Sequence, residues 1–466
     1  MWTLLAVAVS AFAYYVSTGL GGFRPAVWIA PAPVLVVAFR SPRRWAALAA
    51  FAAYFLGSLN LFTYFARITP VVLVVVFLAI PALVFAGVVL WARFAALRLP
   101  PWAAALAFPV AWTSYEFLLS LVSPHGTALS LAYTQTGFLP VLQIASVTGL
   151  WGITFLVTLV PSAIAVAWSR RSLSALAPAV LTACVVLTYG ALRLQTPPQP
   201  AVVRVGLAAT DQGIGAAFRT EDPAVALAVA HAYANRVARL AAQGAQVIVL
   251  PEKFVGVTPA DSDAIERVFS EAARAAHVTL IAGFNRFSLK PPRNTAAVFG
   301  PGGLLLLEYD KHHMLPGPET GYQIGTAPGL FPAPGAQWGV AICKDMDFPA
   351  WSRGYSRRGV RILAVPAWDF VVDARLHSRM AVVRGVEEGF AIARTAQNGN
   401  LTFSDAYGRI LAEAPSSTVP DALLVRNIAA GPGPTIYTRF GNWFGKLSVV
   451  VLACLVGLAA AAGRRA

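Results

Sequence analysis

Charge is scarce in this chain. Only 12% of its 466 residues are Asp, Glu, Lys or Arg, against roughly 25% in an ordinary soluble protein. Between Met1 and Leu194 the sole acidic residue is Glu116. That speaks against ion-coupled transport, which relies on several ionisable groups buried in the membrane. Cysteine is scarcer still. Cys184 and Cys454 lie within apolar runs, which leaves Cys343 alone and rules out a disulfide framework. There are six histidines, and the His312-His313 pair has no cysteine nearby, so the pair reads as structural rather than as a metal site. No internal repeat, low-complexity tract or glycine-rich phosphate loop is present. The net charge of +15 does not signal nucleic acid, because nine basic groups flank apolar runs and no basic stripe interleaves with aromatics.

What the chain has in abundance is hydrophobic sequence, 57% of its residues. Residues 1–195 are nearly continuous apolar sequence, residues 200–440 have globular composition, and 447–462 is apolar again. The expected plan is a membrane domain over 1–195, a soluble domain over 200–440 and a C-terminal transmembrane helix over 447–462. About seven spans precede the soluble domain, near 3–19, 26–40, 45–64, 70–92, 102–123, 148–168 and 174–192. The first lacks a basic leader and runs straight into further spans, so it reads as a retained helix and not a signal peptide.

Arginine placement predicts orientation. With the N-terminus inside, one side collects Arg40, Arg43, Arg44, Arg93, Arg98, Arg170, Arg171, Arg464 and Arg465, and the other only Arg24, Arg67 and Arg193. The positive-inside rule makes the first side cytoplasmic. An odd number of spans then puts 200–440 outside the cytoplasm, which in a bacterium is the outer face of the inner membrane.

A proline-rich stretch at 197–200 leads into alternating strand-like and helix-like segments. Strands are expected over Val202–Ala208, Val247–Leu250, Val278–Phe284, Thr295–Phe299, Leu304–Tyr309, Gln337–Ile342, Ile362–Val365, Ala391–Thr395, Leu401–Ser404 and Ile410–Glu413. Helices are expected over Pro223–Ala242, Ala260–Ala276 and Ala374–Gly389. This is an α/β domain with mixed sheets. Glu252, Lys311 and Cys343 each follow an apolar strand-like run. A carboxylate, an ammonium and a thiol presented at strand ends suggest covalent thiol catalysis.

Pro251-Glu252, Tyr309-Asp310-Lys311-His312-His313-Met314-Leu315-Pro316 and Ile342-Cys343 resemble the Glu-Lys-Cys motifs of the nitrilase, or carbon–nitrogen hydrolase, superfamily. The Lys-His-His run followed by Glu319 is similar to the bacterial apolipoprotein N-acyltransferase branch. So are Ala374 to Asn400, with Arg379, Arg384, Glu387, Arg394 and Asn398-Gly399-Asn400, and Tyr437 to Trp443. The resemblance implies a polytopic helical domain carrying an extracytoplasmic nitrilase-like α-β-β-α sandwich. It implies Cys343 as nucleophile, Glu252 as general base and Lys311 at the developing oxyanion, with Glu319 and Asp345 in support. It implies a phospholipid acyl donor, a diacylglyceryl lipoprotein acceptor, and neither cofactor nor metal. A membrane-anchored amidase or hydrolase, or an inactive lipoprotein-binding scaffold, are the alternatives. The branch usually has Tyr then Glu after the cysteine, whereas Lys344 and Asp345 stand here, which leaves donor and acceptor recognition open. The aromatics Trp338, Phe348, Trp351 and Trp368 read as core or membrane-interface contacts.

Overall fold

The computed structural model describes residues 1–196, 201–211 and 217–463. The stretch 197–200 and the arginines at 464 and 465 lie outside the described residues. The chain forms two compact units, one of Met1–Ser123, Thr127–Gln195 and Phe440–Ala466, the other of Pro124–Gly126 and Thr196–Arg439.

The first unit is helical. Among the described residues, six helices are long and apolar enough to cross a membrane: Arg43–Arg67, Val71–Ala96, Pro101–Val122, Leu150–Arg170, Leu173–Leu194 and Trp443–Ala462. Two of the segments read as spans come out shorter. Trp2–Ser17 has 16 residues, and the stretch 26–40 becomes a 3-10 turn, Arg24–Trp28, and a nine-residue helix, Ala32–Arg40. Pro25, Pro31 and Pro33 explain the break, since proline starts helices and has no N–H with which to continue them. Inside this unit the Glu116 carboxylate accepts from Trp112 Nε1 (3.0 Å), Leu131 N (3.0 Å), Ser130 Oγ (2.5 Å) and Thr154 Oγ1 (2.8 Å).

The second unit is a sandwich of two sheets. One contains β1 (Val202–Ala209), β2 (Val247–Val249), β3 (Val255–Gly256), β4 (Thr279–Arg286), β5 (Arg293–Phe299) and β6 (Leu305–Asp310). The other contains β7 (Gly329–Ala333), β8 (Ala336–Val340), β9 (Ile362–Trp368), β10 (Ala391–Gln397), β11 (Asn400–Ser404) and β12 (Ile410–Pro415). The last strand, β13 (Ala422–Ala429), returns to the first sheet, antiparallel to β1 along its whole length. The orders are β13-β1-β2-β4-β5-β6, with β3 on β4, and β12-β11-β10-β9-β8-β7.

Strands buried on both faces explain the continuous apolar runs of the sequence. Val203, Val205, Leu207, Val247 and Val249 meet Trp338, Val340, Ile362, Ala364 and Phe403 between the sheets. On the outer face of the first sheet, Ile248, Leu280 and Phe284 pack on Tyr233, Val237, Ile265 and Phe269 of the helices Pro223–Ala242 and Ser262–Ala276. On the outer face of the second, Leu363, Val365 and Ile392 pack on Tyr355 and Ala381 of the helices Pro349–Arg357 and Ala374–Glu388. The layers are therefore α-β-β-α, as expected.

Candidate active site

Glu252 follows β2 after Leu250 and Pro251, where its main-chain N–H reaches across to Ala367 O of β9 at 3.4 Å. Gly283 of β4 makes room for it, because a Cβ there would lie 2.1 Å from Pro251 O and 2.8 Å from Glu252 Cα. Lys311 directly follows β6 and is held in line by its N–H to Asn294 O (2.9 Å). Its ammonium donates to Glu252 Oε1 and Glu319 Oε2, both at 2.8 Å. Two further residues close the cluster. Asn294 Nδ2 donates to Glu252 Oε1 (2.6 Å) and Glu319 Oε1 (2.8 Å), and Lys253 Nζ to Glu319 Oε1 (2.5 Å). Glu252, Lys311 and Glu319 are all buried. Burial lowers the Lys311 pKa, but Glu252 and Glu319 outweigh it and hold the ammonium well above its usual range. Burial raises Glu319 likewise, and Lys311 and Lys253 outweigh it and hold that carboxyl below its usual range.

Cys343 opens the 3-10 turn Cys343–Asp347 that follows β8, and it adopts a left-handed φ of 44°. That conformation costs a non-glycine residue about 1–3 kcal/mol and persists only when its surroundings fix it. Asp345 fixes much of it. Its Oδ2 accepts from Ile342 N (2.9 Å) and Tyr309 OH (2.6 Å), and its Oδ1 from His312 N (3.2 Å) and His313 N (2.8 Å). Asp345 thus ties the turn that carries Cys343 to the strand end that carries Lys311. The histidine rings stack, His312 on Trp351 (3.7 Å between centroids) and His313 on Phe348 (3.6 Å). Trp338 is buried in the core between the sheets.

The thiol Sγ lies 3.6 Å from Trp368 O, at the end of β9. Behind it, Asp369 and Arg394 form a buried two-pronged ion pair at 2.5 and 3.0 Å. Burial and the Glu252 carboxylate push the thiol well above its usual range, against the pull of Lys311. Cys343 therefore rests as a protonated thiol, and acting as a nucleophile it would need a base at the moment of attack. The structure brings Glu252, Lys311 and Glu319 into one hydrogen-bonded cluster, couples Cys343 to it electrostatically, and makes Asp345 a brace. Sequence reading passes over Asn294, Lys253 and Asp369. A polar residue following an apolar run was the available signal for Lys253 and Asp369.

An α-β-β-α sandwich with a carboxylate, an ammonium and a thiol at its strand ends defines a carbon–nitrogen hydrolase, and the carbon–nitrogen hydrolase family profile matches residues 204–428. The N-terminal domain profile of apolipoprotein N-acyltransferases matches residues 8–163. The apolipoprotein N-acyltransferase of Geobacter metallireducens is 26% identical, over 94% of this chain and 91% of its own length. That of Gloeobacter violaceus is 26% identical over 73% and 69%. Human omega-amidase NIT2 is 32% identical over 37% of this chain and 74% of its own. An amidase structure from Nesterenkonia sp. aligns with 50% of this chain and 93% of its own, at 21% identity and a TM-score of 0.43. The chain belongs to the apolipoprotein N-acyltransferase family within the carbon–nitrogen hydrolases. It is a membrane-bound acyltransferase.

Proposed function

We propose that the protein takes an acyl chain from a phospholipid, holds it as a thioester on Cys343, and passes it to the α-amino group of an S-diacylglyceryl-cysteine lipoprotein. The observation that carries this reading is the Glu252–Lys311 contact at 2.8 Å, coupled to the half-buried thiol of Cys343 on a left-handed turn. In the first half-reaction the Cys343 thiol gives its proton to Glu252 as sulfur attacks the ester carbonyl. Lys311 lies opposite the oxygen that becomes negative. The intermediate collapses, the C–O bond breaks, and the lysophospholipid alkoxide takes the proton back from Glu252. In the second, the acceptor amine attacks the thioester and passes its proton to Glu252. The departing Cys343 sulfur recovers that proton. Water must be kept from the thioester, since it competes with the amine.

The arginine distribution supports placing the catalytic unit on the extracytoplasmic face of the bacterial inner membrane. That reading counts Trp2–Ser17 and the broken 24–40 stretch as crossings. An alkaline phosphatase fusion within 200–440 is expected to be active, and an inactive one would reverse the orientation.

Chemistry is tested by intact mass of wild type and Cys343→Ala after incubation with phospholipid and a diacylglyceryl peptide. An acyl adduct on wild type alone, discharged onto the peptide amine, is expected. Discharge to free fatty acid would favour an amidase-like hydrolase, the reading to which the match with omega-amidase lends weight. No adduct would sink the thioester.

A further inference from the structure

Lys344, next to the nucleophile, invites a role in binding an anionic lipid headgroup, but its surroundings point elsewhere. The residue is 5% exposed. Its ammonium lies 3.2 Å from Asp347 Oδ2 within the same turn and 3.1 Å from Nδ1 of His125, 219 residues earlier in the chain. An ammonium only donates, so Nδ1 of His125 must carry a lone pair and the imidazole must be neutral. Burial and the Lys344 charge bring His125 down to about 4, which keeps that acceptor available at ordinary pH.

His125 belongs to Pro124–Gly126, three residues grouped with the sandwich although Ser123 and Thr127 on either side are not. The next residue makes the same approach by another means. Gly126 has a φ of 52°, and a Cβ there would lie 2.5 Å from Asp347 O and 3.2 Å from Phe348 Cδ1. Two consecutive residues therefore press on the nucleophile turn, one through a side-chain hydrogen bond and one through bare main chain. Asp345 holds the turn towards Lys311, and this segment holds it at Lys344 and Asp347. A nucleophile in a left-handed conformation needs such bracing to keep its geometry.

We propose that His125 and Lys344 act together as positioning residues for Cys343, keeping its turn in register with Glu252 and Lys311. This rests on Cys343 being the acylated residue. The test is single-turnover acylation by phospholipid, followed by intact mass, in wild type, His125→Ala, His125→Asn, His125→Gln, Lys344→Met and the His125→Ala/Lys344→Met double variant. His125→Ala and Lys344→Met are each expected to slow acylation about 10- to 100-fold at saturating donor, with the half-saturating donor concentration unchanged. His125→Asn, whose amide oxygen takes the place of Nδ1, is expected to restore the rate, and His125→Gln, whose oxygen lies one bond further out, is not. That pair decides the matter even if the alanine variant fails to fold. The double variant is expected to be no slower than the slower single, as for two ends of one interaction.

Wild-type rates in His125→Ala, equal rates in the Asn and Gln variants, or effects that multiply would overturn the proposal. So would a Lys344→Met defect confined to half-saturation with anionic donors, which would make Lys344 a lipid ligand. If wild type itself forms no adduct, the thioester reading fails and not the pairing.

Discussion

Glu116 and Glu252 are both buried carboxylates, one in each unit, and they differ in what surrounds them. Glu116 takes four hydrogen bonds from neutral donors, Trp112, Ser130, Leu131 and Thr154. Those bonds stitch one helix to two other segments of the helical unit, which is the work of a fastening. Glu252 shares a cluster with Glu319, Lys311 and Lys253. Two anions and two cations there sum to zero. In the proposed mechanism, Glu252 accepting the thiol proton makes the cluster net positive just as an oxyanion forms beside Lys311. Glu116 therefore fastens helices through neutral donors, whereas Glu252 sits in a charge-balanced cluster beside the thiol-bearing turn.

Substitutions on each side test that contrast. The largest effect on chemistry is expected from Glu252→Gln, which keeps the shape and removes the proposed base. Single-turnover acylation should fall about 10²- to 10⁴-fold, while thermal unfolding in detergent changes far less. A rate within a factor of a few of wild type would remove Glu252 from the mechanism. Lys311→Met should fall on both measures, since it removes the oxyanion partner and leaves Glu252 and Glu319 facing each other. Breaking a buried pair in this way costs about 3–5 kcal/mol of stability. Glu116→Ala inverts the pattern. It strips the partner from Trp112 Nε1 and Leu131 N, at about 1–3 kcal/mol for each stranded donor. The hydroxyls of Ser130 and Thr154, 3.2 Å apart, remain able to pair with each other. Stability should fall while acylation per folded molecule stays unchanged, and a specific loss of rate would erase the distinction.

The same contrast explains what was legible in the sequence. Glu252, Lys311 and Cys343 stand out because each is a polar or reactive residue closing an apolar strand. The helix Pro223–Ala242 is read to the residue, since Asp222 caps it and Pro223 opens it. Asn294 escapes notice because it follows Pro291-Pro292-Arg293 and looks like part of a turn, yet it lies in β5 with its amide between two carboxylates. β13 escapes because the edge strand Ala422–Ala429 carries exposed Arg426 and Asn427 amid its apolar residues. The ion pair of Asp369 and Arg394 and the contact of Lys344 with His125 join distant positions, and no local pattern records them. In the helical unit composition finds the long helices readily, but the stretch 26–40, which prolines break, is easily read as one continuous apolar span.

A third buried carboxylate sharpens the comparison with the least effect on catalysis. Glu388, at the end of the helix Ala374–Glu388, has an anionic neighbour, Glu387, and accepts from Thr438 Oγ1 at 2.8 Å. Burial and the Glu387 charge push it up to about 8. A raised carboxyl pKa means that the folded chain keeps a proton which the unfolded chain releases near 4.3. Its contribution to stability is therefore fully present below about 4.3 and is lost as pH rises through the folded value near 8. Glu388→Gln, which cannot ionise, should remove that loss. Chemical unfolding of the two proteins at pH 5, 7 and 9 should show the glutamine variant gaining on wild type from pH 5 to 9, with acylation unaffected. Parallel pH curves would mean that Glu388 is ionised in the folded protein, and would place it with Glu319, whose carboxyl neighbouring lysines hold down.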